Sequence, residues 1–310
     1  MIKPLIYAPS KPIRKRKNVF LQRLGTNALF LLPALFFFTC FVIYPLLSGV
    51  YYSMTNWNGI DLTPQFVGLQ NFLSLWHDAE FLSSMRVTLT FAFFVTLIQN
   101  SLALLLALAL NRFMRFSAAF RVLFLIPTLI SILAMGYIWS YIYSPLFGFV
   151  DAFLIHVGLS QWAQDWLGDP HFALGTIIFS GSWQWCGFNM IIYMAALQLV
   201  PTEFYEAASM DGANRWRKFR DITFPLIAPS FTINLVLILI GGLRVFDIIV
   251  AMTGGGPAGM TRSVFLEIYR QAFLFSRFGY SSAMVLVVSL IILAISVTIL
   301  HYLRKREVAY

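Results

Sequence analysis

Six apolar stretches, each long enough to cross a bilayer, constrain this chain more than any other feature. They are centred near Phe38, Ala103, Leu133, Met190, Leu237 and Ile292. A span needs about 20 mostly apolar residues to traverse roughly 30 Å of hydrocarbon. Composition agrees: 59% of the 310 residues are apolar, 11% are charged, and the mean hydropathy is +0.76. An ordinary soluble domain carries about 25% charged residues, so lipid is the solvent this chain is written for. The expectation is an all-α integral membrane protein with about six transmembrane helices. Cys40 and Cys186 both fall in apolar runs and lack metal-site spacing, so they read as small buried hydrophobes.

Basic residues in short loops set orientation. The first 26 residues hold Lys3, Lys11, Arg14, Lys15, Arg16, Lys17 and Arg23 and no acid. The apolar run that follows exceeds the core of a signal peptide, so it reads as a retained first helix. With the N-terminus inside, the inner segments also hold Arg112, Arg115 and Arg121; Arg215, Arg217, Lys218 and Arg220; and Arg304, Lys305 and Arg306. Seventeen basic residues then lie inside and four outside: Arg86, Arg262, Arg270 and Arg277. Both termini are expected in the cytoplasm. Beside a span, the basic tail serves orientation and anionic-lipid contact, and no nucleic-acid partner is expected. The chain divides into a basic cytoplasmic tail (1–26), a transmembrane domain (27–303) and a short C-terminal tail (304–310). The outer loop at about 52–86 is polar with scattered aromatics. The one at about 146–171 has an amphipathic stretch at 147–159, then Trp162, Trp166 and Pro170. These aromatics suit an interfacial belt or a docking surface.

The inner loop at about 201–225 is denser in signals. Thr202 can cap a helix after Pro201, with Glu203 in its first turn. Gly212 permits the left-handed turn that ends this helix. A second short helix follows, with Trp216 and Phe219 on one side, and Pro225 is expected to stop it before the fifth span. Chemistry alone leaves two readings open: an amphipathic surface connection, or a rigid helix that docks in a partner's groove.

The order Glu206-Ala207-Ala208, three residues, Gly212, nine residues, Ile222, one residue, Phe224-Pro225 resembles the EAA loop of ABC importer permeases. Phe224 stands where the family usually has Leu. Further resemblance lies at Phe66-Val67-Gly68-Leu69-Gln70-Asn71-Phe72, at Arg121, Pro127 and Trp139, at Phe246-Asp247, at Thr253-Gly254-Gly255-Gly256-Pro257 with Thr261, and at Ala283. The nearest group is the carbohydrate importers, of the type similar to the maltose-F and glycerol-phosphate-A permeases. The resemblance implies a type I importer fold with a cytoplasmic coupling helix in a prokaryotic inner membrane. It implies that Glu206, Ala207, Ala208, Asp211, Gly212 and Ala213 dock on an ATPase. The implied partners are a second permease as a heterodimer, two ATP-binding cassette subunits and an extracytoplasmic sugar-binding protein. ATP and Mg would belong to the ATPase. This chain has no G-x-x-x-x-G-K-[ST] phosphate loop; the glycines at 254–256 read as a turn, and the chain binds no cofactor of its own.

A cargo path is expected in the fourth and fifth spans. Gln184, Trp185, Phe188, Asn189 and Tyr193 mix amides with aromatics, a combination suited to sugars but more often found in packing. Gly241 and Gly242 allow either close helix contact or room for cargo. Arg244 and Asp247, three apart near the outer end of the fifth span, are expected to form an internal ion pair or to serve substrate passage. A stand-alone secondary transporter is the alternative, and it would leave the inner loop unexplained. The four histidines are scattered, and no catalytic constellation appears, so an enzyme is not expected.

Overall fold

The computed structural model describes residues 31–112 and 117–305. The basic tail 1–26, Arg115, Arg306 and most of the C-terminal tail lie outside the described residues. The described residues are helical apart from loops and one isolated bridge, Thr55–Phe66. Contacts divide the chain into two units, 1–51 and 52–310.

The first unit holds most of helix α1, Leu31–Ser53. Its backbone widens into a π-turn at Thr39–Ile43, just before Tyr44 and Pro45. The same device recurs in the second unit at Phe219–Thr223, just before Phe224 and Pro225. Proline clashes with the carbonyl four residues earlier, and a turn bonded i→i−5 opens that space. Pro225 therefore does not stop a helix as expected: 215–243 runs on as one helical rod of 29 residues, free of charged side chains from Phe224 onward. Cys186 is buried as expected, whereas Cys40 lies exposed on α1, an apolar residue on an apolar span.

In the second unit, α2 (Gln70–Leu75) and α3 (Ala79–Arg112) are followed by α4 (Ser117–Leu129) and α5 (Ile132–Ile142). Then come α6 (Phe149–His156), α7 (Ala173–Gln198), α8 (Thr202–Met210), α9 (Arg215–Lys218), α10 (Phe224–Leu243) and α11 (Asp247–Met252). The chain closes with α12 (Val264–Tyr269) and α13 (Phe278–Arg304). Four described helices are long and apolar enough to cross a membrane, rising to six if each bent pair counts as one span.

Helices α3 and α7 run in the same direction. One apolar cluster joins Ala103 to Met190 and, a few turns on, Leu110 to Val200 and Ile227. Helix α10 runs the other way, with Leu239 and Leu243 against Ala92. Buried amides tie the three together. Gln99 Nε2 donates to Asn189 Oδ1 at 2.6 Å, and Asn189 Nδ2 donates to Asn234 Oδ1 at 2.7 Å. Polar groups in an apolar interior are costly unless paired, and here each amide supplies its neighbour.

Two spans are broken. The third, expected as one run around Leu133, is two helices meeting at 98°. Pro127 lies in the last turn of α4, where a helix is easily ended. The fifth breaks after Leu243 and restarts at Asp247. The halves beyond the breaks pack together: a Cβ on Gly136 of α5 would fall 2.5 Å from the Ala251 Cβ of α11. At the same end, Glu267 is fully buried and takes Arg262 Nη1 at 3.2 Å and Arg270 Nη1 at 3.5 Å, while Arg262 also reaches Glu80 of α3 at 2.9 Å. Nearby, Asn71 donates to the Ser53 and Thr55 carbonyls, both at 2.8 Å. The glycines at 254 and 255, with φ of +59° and +89°, form a turn, held as Thr253 Oγ1 meets Thr261 Oγ1 at 2.8 Å.

Candidate functional site

The loop between α7 and α10 is a rigid helix–turn–helix. Helix α8 leaves α7 at 67°. Pro201 occupies the cap position and Thr202 the first helical one, with no side-chain cap bond, so Thr202 does not cap as expected. Proline's fixed φ already suits a helix entrance, and Glu203 stands in the first turn. The far end closes as a Schellman motif: Gly212 N–H bonds Ser209 O at 3.1 Å and Ala213 N–H bonds Ala208 O at 2.9 Å. Gly212 has φ +72°, the left-handed conformation this motif requires. Asn214 then caps α9 by accepting from the Arg217 N–H at 2.9 Å, and Trp216 packs on Phe219 with ring centroids 5.7 Å apart.

One face of α8 is pinned. Tyr205 packs into the inner cluster, and its hydroxyl lies 2.9 Å from Thr223 Oγ1. Thr223 in turn donates to Lys218 O at 3.3 Å. Lys218 Nζ donates to Ser209 Oγ at 2.6 Å, and that hydroxyl donates to Tyr205 O. The other face is open: Glu206, Ala207, Asp211 and Gly212 are exposed, Ala208 and Ala213 half-buried. Met210 is 90% exposed and Phe204 45%. The six expected docking residues thus share one helix end and its turn. The sequence reading missed the residues that stiffen it: Tyr205, Ser209, Asn214, Lys218 and Thr223. Only Asn214, a good capping type just before a helix start, carried a readable signal.

A cavity of about 380 Å³ opens beside the break in the fifth span. Eight of the expected path residues line it: Gln184, Trp185, Phe188, Asn189, Gly241, Gly242, Arg244 and Asp247. Tyr193 does not. It is fully buried one turn further along α7, where its hydroxyl donates to Asn100 Oδ1 at 2.6 Å. The two glycines divide the two readings between them. A Cβ on Gly242 would fall 2.9 Å from the Ala92 Cα, whereas one on Gly241 would meet nothing within 4 Å. Gly242 lets α10 approach α3, and Gly241 leaves room.

Among the described residues no ion pair joins Arg244 to Asp247. The expected pairing assumed a continuous helix, and the backbone breaks between the two. Both side chains are exposed at the cavity. Arg244 stands at the C-terminus of α10 and Asp247 in the first turn of α11, so each complements the end of its own helix. Irregular backbone at membrane depth is tolerated where it lines a cavity. Gln99, Phe91, Ile132 and Phe246 also line it and were not foreseen. Gln99 and Asn100, adjacent amides inside an apolar run, were the available signal.

The family described as binding-protein-dependent transport system inner membrane component matches residues 99–308. The chain is 37% identical over 281 residues to the probable starch degradation products transport system permease protein of Thermoanaerobacterium thermosulfurigenes, covering 90% of this chain and 94% of that one. It is 30% identical over 275 residues to the sn-glycerol-3-phosphate transport system permease protein of Agrobacterium fabrum, covering 88% and 93%. Among solved structures, a chain of a bacterial alginate ABC transporter, crystallised with an alginate pentasaccharide-bound periplasmic protein, superposes with a TM-score of 0.82. The two are 26% identical, with 94% of this chain and 98% of that one covered.

Proposed function

The chain belongs to the family of binding-protein-dependent transport system inner membrane components, and from that premise we propose that it forms one side of the pore of an ATP-driven carbohydrate importer. It is a multi-pass permease subunit and not itself catalytic. The cargo is an oligosaccharide, a polyol or a sugar phosphate, handed over by an external binding protein. A second permease completes the pore, and two ATP-binding cassette subunits hold ATP and Mg. The termini and the 202–225 loop face the cytoplasm of a prokaryotic cell.

The observation that carries this reading is helix α8, braced on one side and bare on the other. A helix held this firmly transmits displacement rather than absorbing it. Glu206 offers charge to a basic groove, and Ala207 and Ala208 let a partner approach closely. When ATP closes the ATPase pair, the docked helix moves, and α7 and α10 move with it through Tyr205 and Thr223. The spans then exchange between states open to either side, an equilibrium biased by a ligand bound elsewhere. In the cavity, Trp185 and Phe188 offer ring faces at a centroid distance of 6.3 Å. Arg244 can donate to a sugar hydroxyl and Asp247 can accept from one, since neither is bound by the other.

The test is purification of the chain from native membranes in mild detergent, with all co-purifying proteins identified. A second six-helix permease and an ATPase bearing a phosphate loop are expected. The accompanying binding protein is then screened against sugars. Recovery of the chain alone, or only with itself, overturns the proposal in favour of a self-contained transporter.

A further inference from the structure

Residues 222–243 of the fifth span carry no charge. At about 1.5 Å per residue they rise about 33 Å, close to the roughly 30 Å of hydrocarbon in a bilayer. Charge resumes at Asp221, and Arg220, Arg217 and Arg215 follow within the next two turns. These arginines therefore stand at the depth of phospholipid headgroups. Among them Trp216 is 66% exposed. It heads a ladder of rings, with centroids 5.7 Å apart from Trp216 to Phe219, 6.1 Å from Phe219 to Phe224 and 5.4 Å from Phe224 to Phe231. The ladder runs from headgroup level into the hydrocarbon.

Guanidiniums outnumber carboxylates on this face. Asp221 takes Arg220 Nε at 2.8 Å and Arg217 Nε at 3.7 Å. Among the described residues no ion pair involves Arg215. Exposed pairs of this kind contribute little. A guanidinium carries five donors, and both contacts are made through Nε, so donors remain for a second anion. Phosphate is an anion that guanidinium grips with two parallel bonds. Arginines beside an exposed indole at the membrane surface are the pattern of an anionic-lipid contact.

The same turns brace α8. Lys218 Nζ holds Ser209 Oγ, and Thr223 meets the Tyr205 hydroxyl, while Trp216, Arg217 and Arg220 stay exposed. Helix α9 and its π-turn thus have two sides, one bonded to the docking helix and one bare. A headgroup gripped on the bare side fixes the height of the helix held on the other.

We propose that the exposed face at 215–224 binds the phosphate of an anionic phospholipid, and that the bound lipid sets the depth at which α8 meets its partner. Arg217 and Arg220 grip the phosphate, and Arg215 adds charge. Trp216 and Phe224 lie along the first methylenes of the acyl chains. The excess of positive charge selects an anionic lipid over a zwitterionic one, whose own cation it repels. The rings that continue into hydrocarbon favour a lipid over a soluble anion or an acidic protein surface. The site itself does not depend on the transport reading; its effect on uptake does.

The test uses the intact importer. Complexes in nanodiscs of equal phosphatidylglycerol and phosphatidylcholine are released into the gas phase, and the lipids they retain are weighed by native mass spectrometry. The wild type is expected to keep phosphatidylglycerol. Its retention should fall about fivefold in R217Q, by a similar factor in R220Q, and further in the double variant. The double lysine variant, R217K with R220K, keeps the charge and should keep most of the lipid. No preference in the wild type overturns the proposal, as a face covered by the ATPase would show. A preference that survives in the double glutamine variant overturns it too, because the basic tail then holds the lipid. Uptake is read in proteoliposomes with the binding protein and a panel of neutral oligosaccharides, polyols and sugar phosphates. Uptake per ATP hydrolysed should be about fivefold higher with phosphatidylglycerol than with phosphatidylcholine alone, and equally low in both for the double glutamine variant. Equal wild-type coupling in the two lipids overturns the effect on α8. Recovery in phosphatidylcholine on adding inorganic phosphate assigns the site to a free anion and overturns the lipid reading. Uptake of none of the panel in either lipid overturns the transport reading, and the retention result stands without it.

Discussion

In the 202–225 loop, the bonds that set the shape join residues close in sequence. Ala213 reaches back to Ala208 and Arg217 to Asn214, and the longest reach, Tyr205 to Thr223, spans 18 positions. In the cavity wall the order is reversed. Gln99 meets Asn189 across 90 positions and Asn189 meets Asn234 across 45. The loop is a local object that carries its own shape wherever the chain places it. The cavity exists only once three spans have assembled, and the break in the third span is held by a side chain of another helix, Gln184 Nε2 donating to Ile130 O at 3.1 Å. A surface that must present one fixed face to a partner suits the first construction. A site that must admit cargo and change shape suits the second.

This contrast is most severely tested at Gly212. If the loop is a self-contained docking part, Gly212→Asp disturbs only the turn. No atom lies within 4 Å of a Cβ placed there, so the cost is the left-handed φ, about 1–2 kcal/mol, and not a clash. The variant should insert at normal membrane levels while uptake is abolished. Normal uptake would mean that the turn does not set the docking face.

The amide ladder gives the next largest effect, and of the opposite kind. Asn189→Leu strands Gln99 Nε2 and Asn234 Oδ1, at about 1–3 kcal/mol for each unsatisfied group, while Asn234 Nδ2 keeps the backbone carbonyl of residue 189. Thermal unfolding of the purified complex should begin several degrees lower, and the damage should reach all three spans. A variant as stable as the wild type would show that the ladder is not what joins them.

These two regions also explain what could be read from the sequence. The loop's signals were legible because each one acts locally: Gly212 at a left-handed turn, Glu203 in a first turn, Trp216 and Phe219 three apart. Where that reading failed, at Pro225, the missing element was a π-turn, a backbone adjustment with no residue signature beyond the proline itself. The cavity was legible only as a residue inventory. Trp185, Phe188, Gly241 and Arg244 stood out as unusual members of apolar runs. That Tyr193 faces Asn100 instead of the cavity depends on how α3 rotates against α7, which periodicity does not encode. The Arg244–Asp247 pairing failed because spacing implies contact only while the helix continues. Pro127 was visible, but the 98° turn beside it depends on Gln184 and Gly187 of another span.

The absence of that ion pair leads to the third test. Arg244→Gln and Asp247→Asn should each lower stability by no more than about 1 kcal/mol, the contribution of a charge at a helix end. Each should raise KM for uptake by about tenfold through one lost charge-assisted contact. Because the two groups do not touch, the double variant should lose the product of the single effects, as expected for independent sites. A double variant no worse than either single one would mean that the two pair in the cargo-bound state.

The smallest expected effect lies back in the loop, where it measures how much of α8's rigidity comes from its bracing. Tyr205→Phe removes only the hydroxyl that meets Thr223 and leaves the ring in the inner cluster. One such bond contributes about 0.5–1.5 kcal/mol, small against the packing that remains. Uptake should fall by about twofold to threefold, and spin labels on α8 should report a broader orientation in the intact complex. Lys218→Met, which removes the second brace at Ser209, should behave alike, and the two together should broaden the distribution further. If neither variant widens it, packing of Tyr205 alone holds the helix, and the loop is less self-contained than its short-range bonds suggest.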